Sequence, residues 1–164
     1  MKTKRWIYED LLHHCLYSRG IGKVREYAAL GIDLNYRNRF GNSPILIASK
    51  YQKPKLFRFL IEQQVNINVQ NKETGATPIM YLSYHKRSEL VQSCIEYGAD
   101  LTLQNEEGKT VVDYALNKKN NHKVLHLFLE HKNKLSEIDQ KRLNALKFKI
   151  LFREEMHPVS RFNI

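Results

Sequence analysis

Apolar residues fall in short helical runs that alternate with polar stretches along most of the chain. The clearest runs are PILIAS, LFRFLIEQ, PIMYLS, ELVQSCIEY and KVLHLFLEH, in which apolar residues recur mainly at intervals of three and four. Polar breaks such as YQKP, YHKRS and NKKNNH separate them. This pattern predicts pairs of short helices joined by tight loops.

The same order of residues returns at a near-constant period. GNSPILIA begins at Gly41, GATPIMYL at Gly75 and a weaker copy, GKTVVDYA, at Gly108, so the period is 34 and then 33 residues. In each copy the glycine suits a tight turn, and the Ser or Thr offers an oxygen to the free N–H groups of a starting helix. In the first two copies proline follows at the first helical position. The copies define three blocks, residues 34–66, 67–100 and 101–133.

This arrangement resembles the ankyrin repeat, a β-turn followed by two antiparallel helices with a T-P-L-H-x-A signature. The resemblance covers roughly Ser18 to Asn133 and rests on the period, the turn glycine, the Ser/Thr-Pro pair and the terminal Gly98-Ala99-Asp100. It implies an all-α, ankyrin-type helical solenoid of helix-turn-helix pairs joined by β-turn loops. The histidine position of the signature departs from the family, since its occupants here are Leu46, Met80 and Asp113.

Stacked repeats bury their apolar faces only against neighbours, so both ends need caps. Residues 1–133 are therefore predicted to form the repeat domain, with 1–33 as its N-terminal cap, and residues 134–164 a C-terminal capping helix and tail. Ser136 and Asp139 stand in capping-box positions before that helix. The residues expected to face the last repeat are Ile138, Leu143, Leu146, Ile150 and Leu151.

The composition, 42% hydrophobic and 27% charged over 164 residues, is that of a folded chain rather than a disordered one. No apolar run approaches the roughly 18 residues of a membrane span, and no export signal is evident. A cytoplasmic location is expected, or secretion without a cleavable signal. Cys15 and Cys94 are too few for a disulfide framework, so both are expected to be reduced, buried thiols.

The formal net charge of +10 is the strongest deviation in composition, and it permits acidic partners. Residues 1–40 and 131–164 each carry +4, whereas residues 75–107 carry −3. A nucleic-acid-binding protein would more often show one continuous basic stripe. Nucleic-acid binding through the basic ends, with Arg5, Arg19, Arg25 and the basic C-terminal helix, is the alternative function.

Catalytic chemistry is not favoured by the residues present. His122 and His126 are one helical turn apart, but Lys123 stands where a metalloprotease helix carries glutamate. We expect no enzyme activity, no metal and no cofactor.

The resemblance places a binding surface on the concave side, where turn tips and first helices meet. Tyr51 and Tyr84 are expected to lie side by side, and Phe40 beside Arg39 is the best single contact candidate, because exposed aromatic and Arg residues often anchor interfaces. The expected function is to bind, and mask or inhibit, a partner protein with an acidic surface, as an inhibitor, an immunity protein or a host-directed effector would; no membrane partner is expected. The predicted partner-binding residues are Tyr36, Arg37, Arg39, Phe40, Lys50, Tyr51, Lys72, Tyr84, His85 and Lys118.

Overall fold

A computed structural model of the protein describes the backbone of residues 4–155 and the side chains of residues 5–147. Between residues 4 and 155 the chain forms helices, turns and loops but no strand, which confirms the predicted all-α solenoid. A 3-10 turn at Lys132–Lys134 precedes the last helix. The α-helices are α1 Lys4–Tyr17, α2 Gly22–Ala29, α3 Pro44–Lys50, α4 Pro54–Glu62, α5 Pro78–Tyr84, α6 Ser88–Glu96, α7 Val111–Leu116, α8 His122–Glu130 and α9 Glu137–Glu155.

The helices form two layers. The inner helices α1, α3, α5 and α7 contact one another in that order, and each packs on the outer helix that follows it, α2, α4, α6 or α8. Helix α9 closes the stack against α8. The buried apolar residues form one continuous cluster from Leu11 in α1 to Leu143 in α9, as expected when each repeat supplies the core of its neighbours.

Each inner helix from α3 onward begins after a turn that an asparagine side chain organises. Asn38 Oδ1 accepts hydrogen bonds from the backbone N–H groups of Phe40 and Asn42, at 3.1 and 3.0 Å. Asn71 and Asn105 accept equivalent bonds of 2.8–3.0 Å inside their own turns. The recurrent asparagine thus satisfies backbone donors that the turn would otherwise leave unpaired.

Hydrogen bonds between successive turns hold the repeats in register. The Arg37 guanidinium donates to the Gln70 carbonyl at 2.6 Å, and Gln70 Nε2 donates in turn to the Gln104 carbonyl at 2.8 Å. These three residues occupy the same place, immediately before the turn asparagine, in successive repeats. The Glu106 N–H also donates to the Thr74 carbonyl at 3.0 Å. These bonds make the turns before α3, α5 and α7 a rigid row, which we call the turn edge.

Side-chain contacts cap the predicted helix starts of α3 and α7. Ser43 Oγ accepts a long bond of 3.5 Å from the Leu46 N–H at the start of α3. At α7, the Asp113 carboxylate accepts from the Thr110 N–H at 2.9 Å. Asp113 occupies the position of the family's histidine, so in this repeat the departure from the signature supplies a capping acceptor.

The first turns of α9 show the predicted capping contact, and two of the residues expected to face the last repeat are packed while a third is not. Ser136 Oγ accepts from the Asp139 N–H at 3.3 Å, Leu143 is fully buried and Leu146 is half-buried against the core. The expectation for Ile138 is wrong: its side chain is 70% exposed, because Asp139, Leu143 and Leu146 share the packed helix face and Ile138 points about 100° away from it. The side chains of Ile150 and Leu151, and the tail beyond residue 155, lie outside the described residues.

Both cysteines lie in the core, as expected. Cys15 in α1 and Cys94 in α6 are buried free thiols. Burial raises the pKa of Cys15 to about 12 and that of Cys94 further still, so neither thiol forms a thiolate near neutral pH. In the described part of the chain, no helix combines the length and apolar character that a membrane span needs.

Candidate binding surface

The ten predicted binding residues separate into two groups at opposite ends of the inner helices. Five lie at or near the turns that precede these helices: Tyr36, Arg37, Arg39, Phe40 and Lys72. The other five lie where the inner helices end: Lys50, Tyr51, Tyr84, His85 and Lys118. A seven-residue helix such as α3 is about 10 Å long, so the two groups border the inner-helix face from opposite sides. This inner-helix face is the counterpart of the predicted concave surface.

Two residues of the turn group serve the scaffold. The Tyr36 ring stacks on Tyr8 of α1, with ring centroids 4.4 Å apart, and its hydroxyl donates to Glu9 at 3.3 Å. Arg37 is exposed, but its guanidinium is already bonded to the next turn. Both contacts join neighbouring repeats. A partner could use these two groups fully only by breaking those contacts.

The rest of the turn group is open. The Arg39 guanidinium lies 4.6 Å from the Phe40 ring centroid, and the Phe40 side chain is 50% exposed. Lys72, in the next turn, is also exposed. A half-exposed aromatic ring beside two cations is suited to contact an acidic surface, because the ring contributes apolar area and the cations contribute charge complementarity.

The expected pairing of Tyr51 with Tyr84 is wrong by one residue. Counted from the helix caps Ser43 and Thr77, Tyr51 is equivalent to His85, and Tyr84 is equivalent to Lys50. The two tyrosines are 33 residues apart, whereas these two repeats differ by 34 because the second turn contains an extra residue. An aromatic pair one repeat apart does exist, but it consists of other residues.

Tyr81 and Tyr114 form that pair, although neither is among the predicted binding residues. Each stands four residues after its cap, Thr77 or Thr110, on neighbouring inner helices. The Tyr81 hydroxyl lies 3.2 Å from Thr74 Oγ1, and the Tyr114 hydroxyl accepts a bond from the turn asparagine of its own repeat at 3.0 Å. Counting from the caps rather than from the helix ends would have found them. In the sequence, both rings fit the apolar pattern of their helices and so do not stand out as surface residues.

A groove of about 420 Å³ lies beside Tyr114. Its walls include Tyr84, Leu116 and Asn117, and Lys109 lies at its rim in an ion pair with Glu107. Burial raises the pKa of Tyr114. The hydrogen bond from the turn asparagine lowers the pKa and the proximity of Tyr81 raises it, but the net shift is upward, so the phenol stays protonated. The lining combines hydroxyl, amide and charged groups with the apolar side chain of Leu116, a mixed composition suited to a protein side chain or peptide.

The end of this groove is fixed by a charged bridge to the C-terminal cap. Arg142 of α9 donates to Asp113 at 2.6 Å and to Asp139 at 3.0 Å. Burial acts to raise the pKa of the Asp113 carboxyl, but hydrogen bonds from Arg142 and from the Thr110 backbone outweigh it and hold the pKa below its usual value. The carboxylate is therefore ionised at neutral pH and locks α9 onto the last repeat.

No catalytic or metal-binding arrangement emerges among the side chains that the structure describes. No group of three His, Cys, Asp or Glu residues there is placed to hold a metal ion. His126 is instead 3.5 Å from Glu130, one turn along its own helix. The two thiols are inside the core.

A comparison with known families agrees with this architecture, while no curated protein matches the chain. The family model for ankyrin repeats (3 copies) matches residues 12–105 and, in an overlapping match, residues 45–142. Ankyrin repeats generally mediate protein–protein interaction, and the family is typically non-enzymatic. Because the two matches together cover most of the chain, the protein belongs to the ankyrin repeat family.

Proposed function

We propose that the protein binds a partner protein on its inner-helix face and masks the surface that it covers. The observation that carries this proposal is a set of aromatic side chains on and beside that face: Phe40 is 50% exposed at a turn tip, and Tyr81, Tyr84 and Tyr114 on α5 and α7 are partly exposed. Aromatic side chains present large contact area at a small entropic cost, which makes them frequent anchors of interfaces.

The charges along the turn edge indicate how the partner is oriented. The first turn carries Arg39 beside Phe40, and the second carries both Lys72 and Glu73. The third turn carries Glu106 and Glu107. An acidic patch on the partner would therefore meet the first turn, and its basic or polar side chains would meet the third.

Masking is the role of an inhibitor or a toxin-neutralising immunity protein, and a host-directed effector would use the same face on a host protein. A rigid scaffold supports such a role, because a preorganised surface loses little conformational entropy on binding. The bonded turn edge and the capped last repeat supply that rigidity.

The test compares matched variants in affinity purification from the protein's own cell type at low salt. Phe40→Ala and Tyr84→Ala remove candidate anchors, and we expect the loss of about 2 kcal/mol or more that is typical of an interface hot spot. Tyr97→Ala is the matched control, because Tyr97 is 51% exposed, as Phe40 is, but lies at the end of outer helix α6. A protein recovered equally by all three variants would refute the proposed face.

A second measurement addresses masking. Once a partner is recovered, its own activity is titrated with the purified protein. Inhibition that follows the occupied fraction supports masking. An unchanged partner activity at saturation would contradict masking, although binding itself would stand.

A further inference from the structure

The loops between the inner and outer helices bring most of the excess positive charge together on one edge. We define the loop edge as residues 18–21, 50–53, 84–87 and 117–121. It contains no acidic residue. Its basic residues are Arg19, Lys50, Lys53, Lys86, Arg87, Lys118 and Lys119. The continuous basic stripe that is missing from the linear sequence is thus assembled by the fold.

Contacts between neighbouring loops show that these segments form one row. Lys53 Nζ donates to the Ser18 carbonyl at 3.0 Å, and His85 Nε2 donates to the Lys50 carbonyl at 3.1 Å. At the far end, Lys118 Nζ lies 4.1 Å from the centroid of the Tyr84 ring. Each of the four loops therefore contacts the next loop in the row.

Three of the four loops share a shape that is set by the backbone. Gln52, Lys86 and Asn120 occupy equivalent positions and have φ values of +54°, +57° and +59°. This left-handed conformation is unfavourable for residues other than glycine and asparagine, so the repeat stack must hold each loop in place. The spacing of cations along the row is consequently fixed before any partner arrives.

Two of these cations stand where helix stability alone would not place them. Lys53 and Arg87 are the N-cap residues of α4 and α6, and neither makes a side-chain cap bond. Helix N-termini carry partial positive charge and favour Ser, Thr, Asp or Asn as caps. Their side chains do tie neighbouring loops together, through Ser18 and through Gln52 at 2.7 Å. These bonds do not remove the repulsion between each side-chain cation and the positive end of its helix dipole. An anion bound at this edge would reduce that repulsion.

Acidic residues near the edge do not cancel its charge. Glu89, the second residue of α6, is ion-paired with Arg58 at 2.8 Å. The equivalent positions in α4 and α8 are occupied by Lys55 and Lys123, which extend the basic surface on either side.

We propose that the loop edge binds the phosphate backbone of a single-stranded nucleic acid. Neighbouring helices in a stack are about 8–10 Å apart, so four loops span roughly 25–30 Å. Single-strand-binding sites cover about 4–16 nucleotides, and a row of this length lies within that range. The row is one loop wide, which suits one strand, and Tyr51, with its ring 52% exposed, offers a face on which a base can stack.

The experiment measures binding of a fluorescent single strand of about 20 nucleotides, as poly-dT and poly-rU, by anisotropy between about 50 and 200 mM salt. The loop-edge variant is Arg19→Gln, Lys86→Asn, Lys119→Gln; all three residues are exposed, and asparagine tolerates the left-handed backbone at 86. The control variant, Lys132→Gln, Lys141→Gln, Lys147→Gln, removes three exposed charges from the C-terminal end of the described chain.

Loss of three phosphate contacts should lower the affinity at about 0.1 M salt by on the order of 100-fold and reduce the salt slope by about 2. The control variant should bind as the unmodified protein does. Equal losses in both variants, or a loss in the control alone, would overturn the assignment to the loop edge. Tighter binding of a duplex, or equally tight binding of poly-glutamate, would overturn the assignment to a single strand. No substituted residue belongs to the proposed protein-binding face, so partner recovery by the loop-edge variant reports on that proposal separately.

Discussion

Replacing each of the three equivalent turn glycines by alanine measures how strongly the packing between neighbouring repeats stabilises the protein. Gly41, Gly75 and Gly108 all have positive φ values, +76°, +68° and +73°. Alanine at any of them should cost about 1–2 kcal/mol through left-handed backbone strain alone. Their surroundings differ, because each of the first two turns has a following turn against it and the third has none.

An added Cβ meets backbone at the first two positions and open space at the third. At Gly75 it would lie 2.6 Å from the Glu106 nitrogen, and at Gly41 it would lie 2.9 Å from the Lys72 nitrogen. At Gly108 the nearest heavy atom, in the Gln104 side chain, is 4.0 Å away. Overpacking of this kind adds about 1–3 kcal/mol, so Gly75→Ala should cost about 2–5 kcal/mol and Gly108→Ala about 1–2 kcal/mol.

Urea unfolding followed by far-UV circular dichroism gives the free energies of unfolding, and thermal melts give a second measure. At about 2–4 °C per kcal/mol for a chain of this size, Gly75→Ala should lower Tm by roughly 4–20 °C and Gly108→Ala by roughly 2–8 °C. Gly41→Ala should resemble Gly75→Ala. Equal losses at Gly75 and Gly108, within about 0.5 kcal/mol, would refute the reasoning that packing between turns holds the stack together.

Three further predictions concern buried polar groups and the core. Asn121 is 3% exposed and donates to two carbonyl oxygens at 2.8 and 2.9 Å; Asn121→Asp should therefore lower the free energy of unfolding in urea more than Asn121→Ala, because carboxylate oxygens would face those acceptors. Arg142→Met should destabilise the protein by about 1–2 kcal/mol at pH 7, less than a fully buried pair would, since the Arg142 side chain is 39% exposed. Because the pKa of Asp113 is lowered on folding, that difference should be complete above about pH 4 and shrink as the pH falls toward the folded-state value, whereas a pH-independent difference would exclude the ion pair as its cause. Cys15 and Cys94 should resist a thiol reagent at pH 8 in the native state and react fully in urea; rapid native labelling would contradict their burial.

The sequence by itself determined the repeat architecture, because its signals are local. A glycine that allows a positive φ, a capping oxygen and a proline at the first helical turn act within a few residues of one another, so each copy can be read without its neighbours. The helix starts at Pro44 and Pro78 and the cap at Ser136 were all predictable for this reason. Period and order then identified the family.

The tertiary structure decided which side chains are left exposed and which are held by other repeats, because that depends on contacts between residues about one repeat apart. Tyr51 and Tyr84 are one residue out of register, and the tyrosines at equivalent positions of neighbouring inner helices are Tyr81 and Tyr114. Tyr36 turned out to stack on a cap residue far from it in sequence, which no local pattern signals. The basic charge follows the same logic: along the chain the middle segment is acidic, yet stacking collects the cations of four separate loops on one edge and leaves acidic side chains elsewhere. Electrostatic interaction depends on distance in space and not along the chain, so only the fold shows this surface.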